Sequence, residues 1–188
     1  MEIIPRGSVI GILGDGQLGR MTIKAATDLG FRCHVFGTIP DSPAAQVCAD
    51  ATLSVSYTDA AKLARFASAV DVITCEFENV PAEAFHILSQ FTVPVRPGGE
   101  AFSIASDRIK EKTFLHSIGV PTTPWRAVTG YQEVQEALAV FGEVIMKTVR
   151  MGYDGKGQMR FDNAVDAMAA WKTLNQDSIS RLFLQLYL

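Results

Sequence analysis

The sequence predicts an α/β protein in two parts: a parallel, doubly wound sheet covered by helices, then a smaller unit of antiparallel strands and helices. Three observations predict it. The apolar run Val9–Leu13 leads at once into Gly14-Asp15-Gly16-Gln17-Leu18-Gly19 and a helical pattern. Strand-like apolar runs then alternate with amphipathic helices to about residue 95. Finally, Pro121-Thr122-Thr123-Pro124 forms a stiff connector, after which strands and helices resume in shorter pieces.

Each element has a local reason. Val9-Ile10-Gly11-Ile12-Leu13 suits a strand buried on both faces. The following helix carries Leu18, Met21, Ala25, Ala26 and Leu29 on one stripe, read as its buried side, and Gly30 stops it. Phe31–Phe36 is the second strand and Ala51–Val55 the third. Asp59 caps a helix with Leu63, Phe66, Ala67 and Val70 on one side. Asp71–Cys75 is the fourth strand, and Pro81 opens a helix to about Ser89. Phe91–Val95 reads as an edge strand, because Pro94 has no N–H for a ladder. Ser106 is read as the N-cap of a helix that Gly119 ends before Pro121. The second unit holds strand Trp125–Val128, helix Tyr131–Phe141, strand Glu143–Val149, strand Gln158–Phe161, helix Asn163–Leu174 and strand Leu182–Leu188.

Composition narrows the function. The chain has 188 residues, 48% hydrophobic and 20% charged, as in an ordinary globular protein. A net charge of −3 argues against a protein dominated by nucleic-acid binding. No apolar run approaches the roughly 18 residues of a membrane span, and the start lacks the pattern of a secretory signal. Cys33, Cys48 and Cys75 are far apart with no C-x-x-C pair, which suits reduced thiols in a cytoplasmic protein. His34, His86 and His116 have no second ligand at metal spacing.

Two stretches carry candidate chemistry. A strand delivers Lys147, and glycines at 152, 155 and 157 follow, with Lys156 between. Such a loop lets backbone N–H groups approach an anion closely, so it reads either as a flap over nucleotide phosphates or as an exposed hairpin loop. Arg108, in a first helical turn where the dipole disfavours a cation, hints at an anionic partner. At the carboxyl ends of the parallel strands, where open sheets bind ligands, stand the turn Gly14–Gly19 and Glu76-Phe77-Glu78-Asn79. Strand, G-x-G-x-x-G and helix together form a dinucleotide-binding fingerprint. Yet the second strand ends Phe36-Gly37-Thr38, without the acid that holds ribose hydroxyls. Glu76 and Glu78 either bind a cationic or amino-bearing group, or Glu78-Asn79 simply begins the next helix while Glu76 is solvated.

Gly14–Met21, Asp41-Ser42-Pro43-Ala44, Glu76–Pro81, Asp107-Arg108 with Glu111–Leu115, and Gly152–Gln158 occur in one order and spacing. That combination resembles the N-terminal half of the 5-(carboxyamino)imidazole ribonucleotide synthetases, which are ATP-grasp enzymes of purine biosynthesis. The resemblance spans residues 8 to 180. It implies a Rossmann-like pre-ATP-grasp domain over 1–96 and a partial ATP-grasp domain over 97–188. The latter would comprise linking helices at 97–120 and a small lid subdomain from about 121.

It further implies ATP- and bicarbonate-dependent carboxylation of the amine of 5-aminoimidazole ribonucleotide through carboxyphosphate, in a cytoplasmic homodimer. Arg108, Lys147, Gly152, Tyr153, Asp154, Gly155, Lys156, Gly157 and Gln158 would bind ATP. Gly14, Gly16, Gln17, Leu18, Glu76, Tyr153 and Asp154 would meet the imidazole nucleotide. Mg2+, with its ligands and the catalytic residues, is expected beyond Leu188, so this chain alone is expected to be inactive. A non-catalytic remnant and a dinucleotide-binding module are the alternatives. Two departures stand out. The resembled family has a third glycine where Asp15 stands and an Asp where Gly37 stands, so Asp15 is expected to repel a phosphorylated substrate.

Overall fold

A computed structural model describes residues 3–150, 156–174 and 182–186. Gly152, Tyr153, Asp154 and Gly155 of the glycine loop lie outside the described residues. The chain divides into two compact units, Met1–Ser103 and Ile104–Leu188.

The first unit holds a parallel sheet in the order β3-β2-β1-β4, from β1 (Val9–Leu13), β2 (Arg32–Gly37), β3 (Asp50–Leu53) and β4 (Val72–Cys75). Register runs from Val9↔Arg32 to Leu13↔Phe36 and from Ile10↔Val72 to Leu13↔Cys75. Alternate side chains pass to opposite faces. Leu13 and Phe36 pack with Leu63 and Phe66 of α2 (Ala60–Ser68) and with Phe85 and Leu88 of α3 (Ala82–Leu88). Ile12 and Val35 pack with Ile23 and Ala26 of α1 (Gln17–Asp28). Asp59 caps α2 as expected, its carboxylate accepting from the Lys62 N–H at 3.0 Å.

Four local expectations are corrected. Most of the stripe read as the buried side of α1 faces solvent: Leu18, Met21 and Leu29 are 61%, 58% and 61% exposed and Ala25 is exposed too, while of that stripe only Ala26 is buried, with Gly19 and Ile23. The cause is Gly19, where a Cβ would stand 2.9 Å from the Gly14 carbonyl oxygen. The helix must present this residue to the turn, and positions 23 and 26 follow it onto the sheet. The third strand ends at Leu53, and Val55 is fully exposed. Phe91–Val95 forms one parallel bridge, Ile73↔Val95, rather than a strand, because Pro94 and Pro97 have no N–H for further rungs. Asp107, not Ser106, caps α5 (Arg108–Ser117), accepting from the N–H groups of Ile109 and Lys110 at 3.1 Å each. Helix α4 (Gly99–Ala105) precedes it.

The α1 correction has an expected consequence. Met21→Lys should change the unfolding free energy by no more than about 0.5 kcal/mol, whereas Ile23→Ala should cost about 2–4 kcal/mol. Urea titration of both variants checks the difference.

The second unit holds an antiparallel sheet in the order β5-β8-β6-β7, from β5 (Trp125–Val128), β6 (Val144–Thr148), β7 (Gln158–Phe161) and β8 (Leu182–Leu186). Helices α6 (Tyr131–Phe141) and α7 (Ala164–Leu174) cover it. Val134 and Ala137 of α6 and Ala167 and Ala170 of α7 pack with Val128, Val144, Met146, Phe161 and Leu184. The observed bounds of α6 and β5 match the expected ones, since Gly130 and Gly142 bracket the helix. No described helix is long and apolar enough to cross a membrane.

Candidate functional site

Two clusters emerge, one in each unit. The first lies at the carboxyl ends of β1, β2 and β4. Because β4 is the direct neighbour of β1, Glu76 leaves the sheet beside the glycine turn, with its N–H on the Leu13 carbonyl at 3.0 Å. Its Oε1 accepts from the Gly16 N–H at 3.1 Å. A Cβ at Gly14, Gly16 or Gly19 would stand 2.6, 3.4 or 3.2 Å from that same oxygen. The three glycines therefore make the cradle in which this carboxylate sits. Gly16 is the N-cap of α1 and has no side chain for capping, so Glu76 supplies the acceptor. The place at the N-terminus of α1 where a dinucleotide fold seats its pyrophosphate is thus held by a carboxylate of the chain itself.

Of the alternatives left open for Glu76 and Glu78, the second does not hold: Glu78-Asn79 does not begin the next helix, and Glu76 is not simply solvated. Glu76 is half-buried in the turn, while Glu78 is exposed and accepts from Asn79, before α3 begins at Ala82. Burial raises the Glu76 carboxyl above its usual range, against the lowering by the Gly16 and Gly19 N–H groups. A carboxyl raised on folding stabilises the fold below its unfolded value and loses that contribution as pH rises through the folded value. Stability should therefore fall as pH rises above about 4.5, the ordinary glutamate value, and Glu76→Gln should flatten that step. Urea midpoints measured from pH 4 upward check it, and an unchanged slope in the variant contradicts it. Gln17 and Leu18 are exposed in the first turn of α1.

Asp15 is fastened into the turn by its own side chain. It is 8% exposed, and its Oδ2 accepts from the N–H groups of Thr38 and Ile39 at 2.8 Å each. The carboxylate faces these two amides at the exit of β2. The Tyr57 hydroxyl also bonds it. Burial, then Asp15 and Glu76, push the Tyr57 phenol above its usual value. Its ring lies 6.2 Å from that of Phe77 and 5.9 Å from that of Phe36. Tyr57 belongs to this cluster, and no motif marks it in the sequence.

The second cluster is cationic. Lys147, on β6, is paired across the sheet with Gln158. The Arg108 N–H donates to the Val149 carbonyl at 3.1 Å, which ties the start of α5 to the exit of β6. Lys112 stands one turn further along α5. Burial, then Arg108, then Lys112 lower the Lys147 pKa. Arg108 and Lys112, close enough to disfavour the charge on Lys147, form with it a site suited to a polyanion. Sequence reasoning gave Lys112 no role of its own, although its spacing from Arg108 carries the signal. Asp107 balances the cluster by pairing with Arg150 at 3.2 Å. Gly157 has φ +67°, and a Cβ there would stand 2.6 Å from Thr148 Oγ1. This buried hydroxyl has no hydrogen-bond partner among the described residues. Lys156 and Gln158 are exposed.

The three thiols are free. Cys33 is buried, and burial pushes it to about 11 and Cys75 to about 12.

Residues 8–106 match the ribonucleotide synthetase preATP-grasp domain family, and residues 113–185 match the ATP-grasp domain family. The chain is 44% identical over 164 residues to the N5-carboxyaminoimidazole ribonucleotide synthase of Brucella melitensis, covering 87% of this chain and 45% of that protein. It is 38% identical over 177 residues to the bifunctional purine synthesis protein purC/E of Dictyostelium discoideum, covering 94% of this chain and 18% of that protein. Among solved structures, the N5-carboxyaminoimidazole synthetase of Staphylococcus aureus complexed with ADP superposes with a TM-score of 0.89 at 31% identity. That match covers 98% of this chain and 48% of the other. The chain thus spans less than half the length of these relatives.

Proposed function

Because the chain belongs to the ribonucleotide synthetase preATP-grasp family, joined to the ATP-grasp fold and matching the N-terminal part of N5-carboxyaminoimidazole ribonucleotide synthetases, we propose that it serves the ATP-dependent carboxylation of 5-aminoimidazole ribonucleotide in purine biosynthesis. The observation that carries the reading is the convergence of Lys147, Arg108 and Lys112 beside the Gly157 turn. In this reading Arg108, Lys147, Lys156, Gly157 and Gln158 hold the ATP phosphates, together with Gly152, Tyr153, Asp154 and Gly155. Cations and backbone donors there offset charge on the γ-phosphoryl group as it transfers. Bicarbonate takes that group, giving carboxyphosphate and ADP. The exocyclic amine then attacks the carboxyl carbon, and phosphate leaves.

In this reading Gly14, Gly16, Gln17, Leu18 and Glu76 bind the imidazole nucleotide, and Tyr153 and Asp154 are assigned to the same ligand by resemblance. Glu76 accepts a hydrogen bond from the amine, which a half-buried carboxylate already aligned by Gly16 is suited to do. We assign the pre-ATP-grasp domain to 1–96 and the ATP-grasp domain to 97–188, with a lid subdomain from about 121. The working form is a cytoplasmic homodimer. Mg2+, when bound, would offset charge on the nucleotide phosphates in such chemistry. Among the described residues no group of three or more His, Cys, Asp and Glu side chains fits a metal ion.

Two measurements test the reading. ATP and 5-aminoimidazole ribonucleotide are titrated separately into the chain by calorimetry. ADP and phosphate release is then followed with ATP, Mg2+, bicarbonate and the imidazole nucleotide, with each omitted in turn. Binding of both nucleotides supports the assignment, and release that needs all components extends it to turnover by this chain. Failure to bind either nucleotide overturns it.

A further inference from the structure

We propose that Asp15 and Gly37 form one device, a carboxylate and its socket, and that Asp15 is the positioning residue of the glycine turn. A buried carboxylate needs partners. Asp15 has the Thr38 and Ile39 N–H groups at 2.8 Å and the Tyr57 hydroxyl. Its own carbonyl accepts from the Ala44 N–H at 3.2 Å, so backbone and side chain are both tied. Gly37 has no positive φ to explain it. Space explains it: a Cβ at 37 would stand 2.3 Å from Asp15 Oδ2, 2.5 Å from its Cβ and 2.6 Å from its Cγ. A side chain at 37 and the one at 15 would occupy the same volume.

The function follows from the neighbours. Gly14 and Gly16, on either side of Asp15, are the residues that hold Glu76. Fastening Asp15 to the exit of β2 therefore fixes the cradle of Glu76. It also fills, from the β1 turn, the place at the end of β2 where dinucleotide-binding sheets present an acid to a ribose. The device selects against such a ribose and leaves Glu76 as the carboxylate set in the turn.

Exchanging the two residues tests this. Asp15→Gly, Gly37→Asp and the double variant are compared by amide hydrogen exchange at Gly16, Thr38 and Ile39. Asp15→Gly should speed exchange at Thr38 and Ile39 by at least about tenfold, and at Gly16 as well, because the cradle loosens. In the double variant a carboxylate returns to the emptied volume from position 37, within reach of the next two N–H groups, as Asp side chains commonly are. Protection should return to within about threefold of the parent. Failure of Gly37→Asp alone to fold is the clash expected. A double variant that is unfolded, or no better protected than Asp15→Gly, overturns the proposal. So does Asp15→Gly exchange that rises at Thr38 and Ile39 but not at Gly16, since Asp15 would then cap the loop without positioning the turn. None of these readouts depends on which ligand the turn takes.

Discussion

Lys147→Met should weaken ATP binding by roughly 10- to 100-fold, the worth of about 1.5–3 kcal/mol for hydrogen bonds to a charged group, without lowering the melting temperature. The two halves have one cause. Burial and the nearby Arg108 and Lys112 lower the Lys147 pKa. A lysine lowered on folding contributes its full stability only above its unfolded value, and that stability falls as pH falls through the folded value. At neutral pH the charged amine is therefore a cost to the empty protein, and methionine removes it. A polyanion reverses the balance, because it gains from all three cations at once. Lys112→Ala, further from the strand, should show the same pattern with a smaller loss, about three- to tenfold, and both effects should shrink in high salt. Calorimetric titration with ATP alongside a thermal melt reads both halves. If affinity holds in Lys147→Met, or if affinity and melting temperature fall together, the cluster is structural and the nucleotide reading loses its main support.

Strands and helices were legible where one physical signal dominated. The apolar run Val9–Leu13 gives β1, Asp59 caps α2, and Gly130 and Gly142 bound α6. The buried side of α1 was not legible, because apolar spacing alone favours Leu18, Met21 and Leu29. A contact of Gly19 with the Gly14 carbonyl, invisible in one dimension, turns the helix the other way. The candidate site divides in the same manner. Glu76 and the glycine turn were both identified, and the order β1-β4 makes them neighbours. Tyr57 was missed because it enters through tertiary placement rather than a motif, whereas Lys112 was missed although its spacing from Arg108 on α5 is a local signal. Asp15 and Gly37 were seen as two unrelated departures from a pattern, and they occupy one volume.

Gly14→Ala should destabilise the first unit by about 2–4 kcal/mol. Two effects combine. Gly14 has φ +115°, outside the left-handed helical region, where side-chain-bearing residues pay about 1–3 kcal/mol. The new methyl would also lie 2.6 Å from Glu76 Oε1 and 2.9 Å from its Cδ. Glu76 must then withdraw, breaking its bond to Gly16 and leaving the N-terminus of α1 without its acceptor. Two other glycines separate these effects. Gly119 has φ +75° with nothing within 4 Å of a Cβ, so Gly119→Ala should cost only the conformational part, about 1 kcal/mol. Gly16 has φ −78°, and its Cβ would clear Glu76 Oε1 at 3.4 Å, so Gly16→Ala should cost under about 1 kcal/mol. In a Glu76→Ala background the contact part disappears, and the cost of Gly14→Ala should fall toward that of Gly119→Ala. Urea unfolding of the four single variants and the Gly14/Glu76 double variant measures every quantity. If Gly14→Ala costs the same with and without the Glu76 carboxylate, the turn needs its glycine for backbone conformation alone, and the cradle for Glu76 is incidental. A coupling of about 1 kcal/mol or more instead means that turn and carboxylate were selected together, as a site that must hold one acid in a fixed place requires.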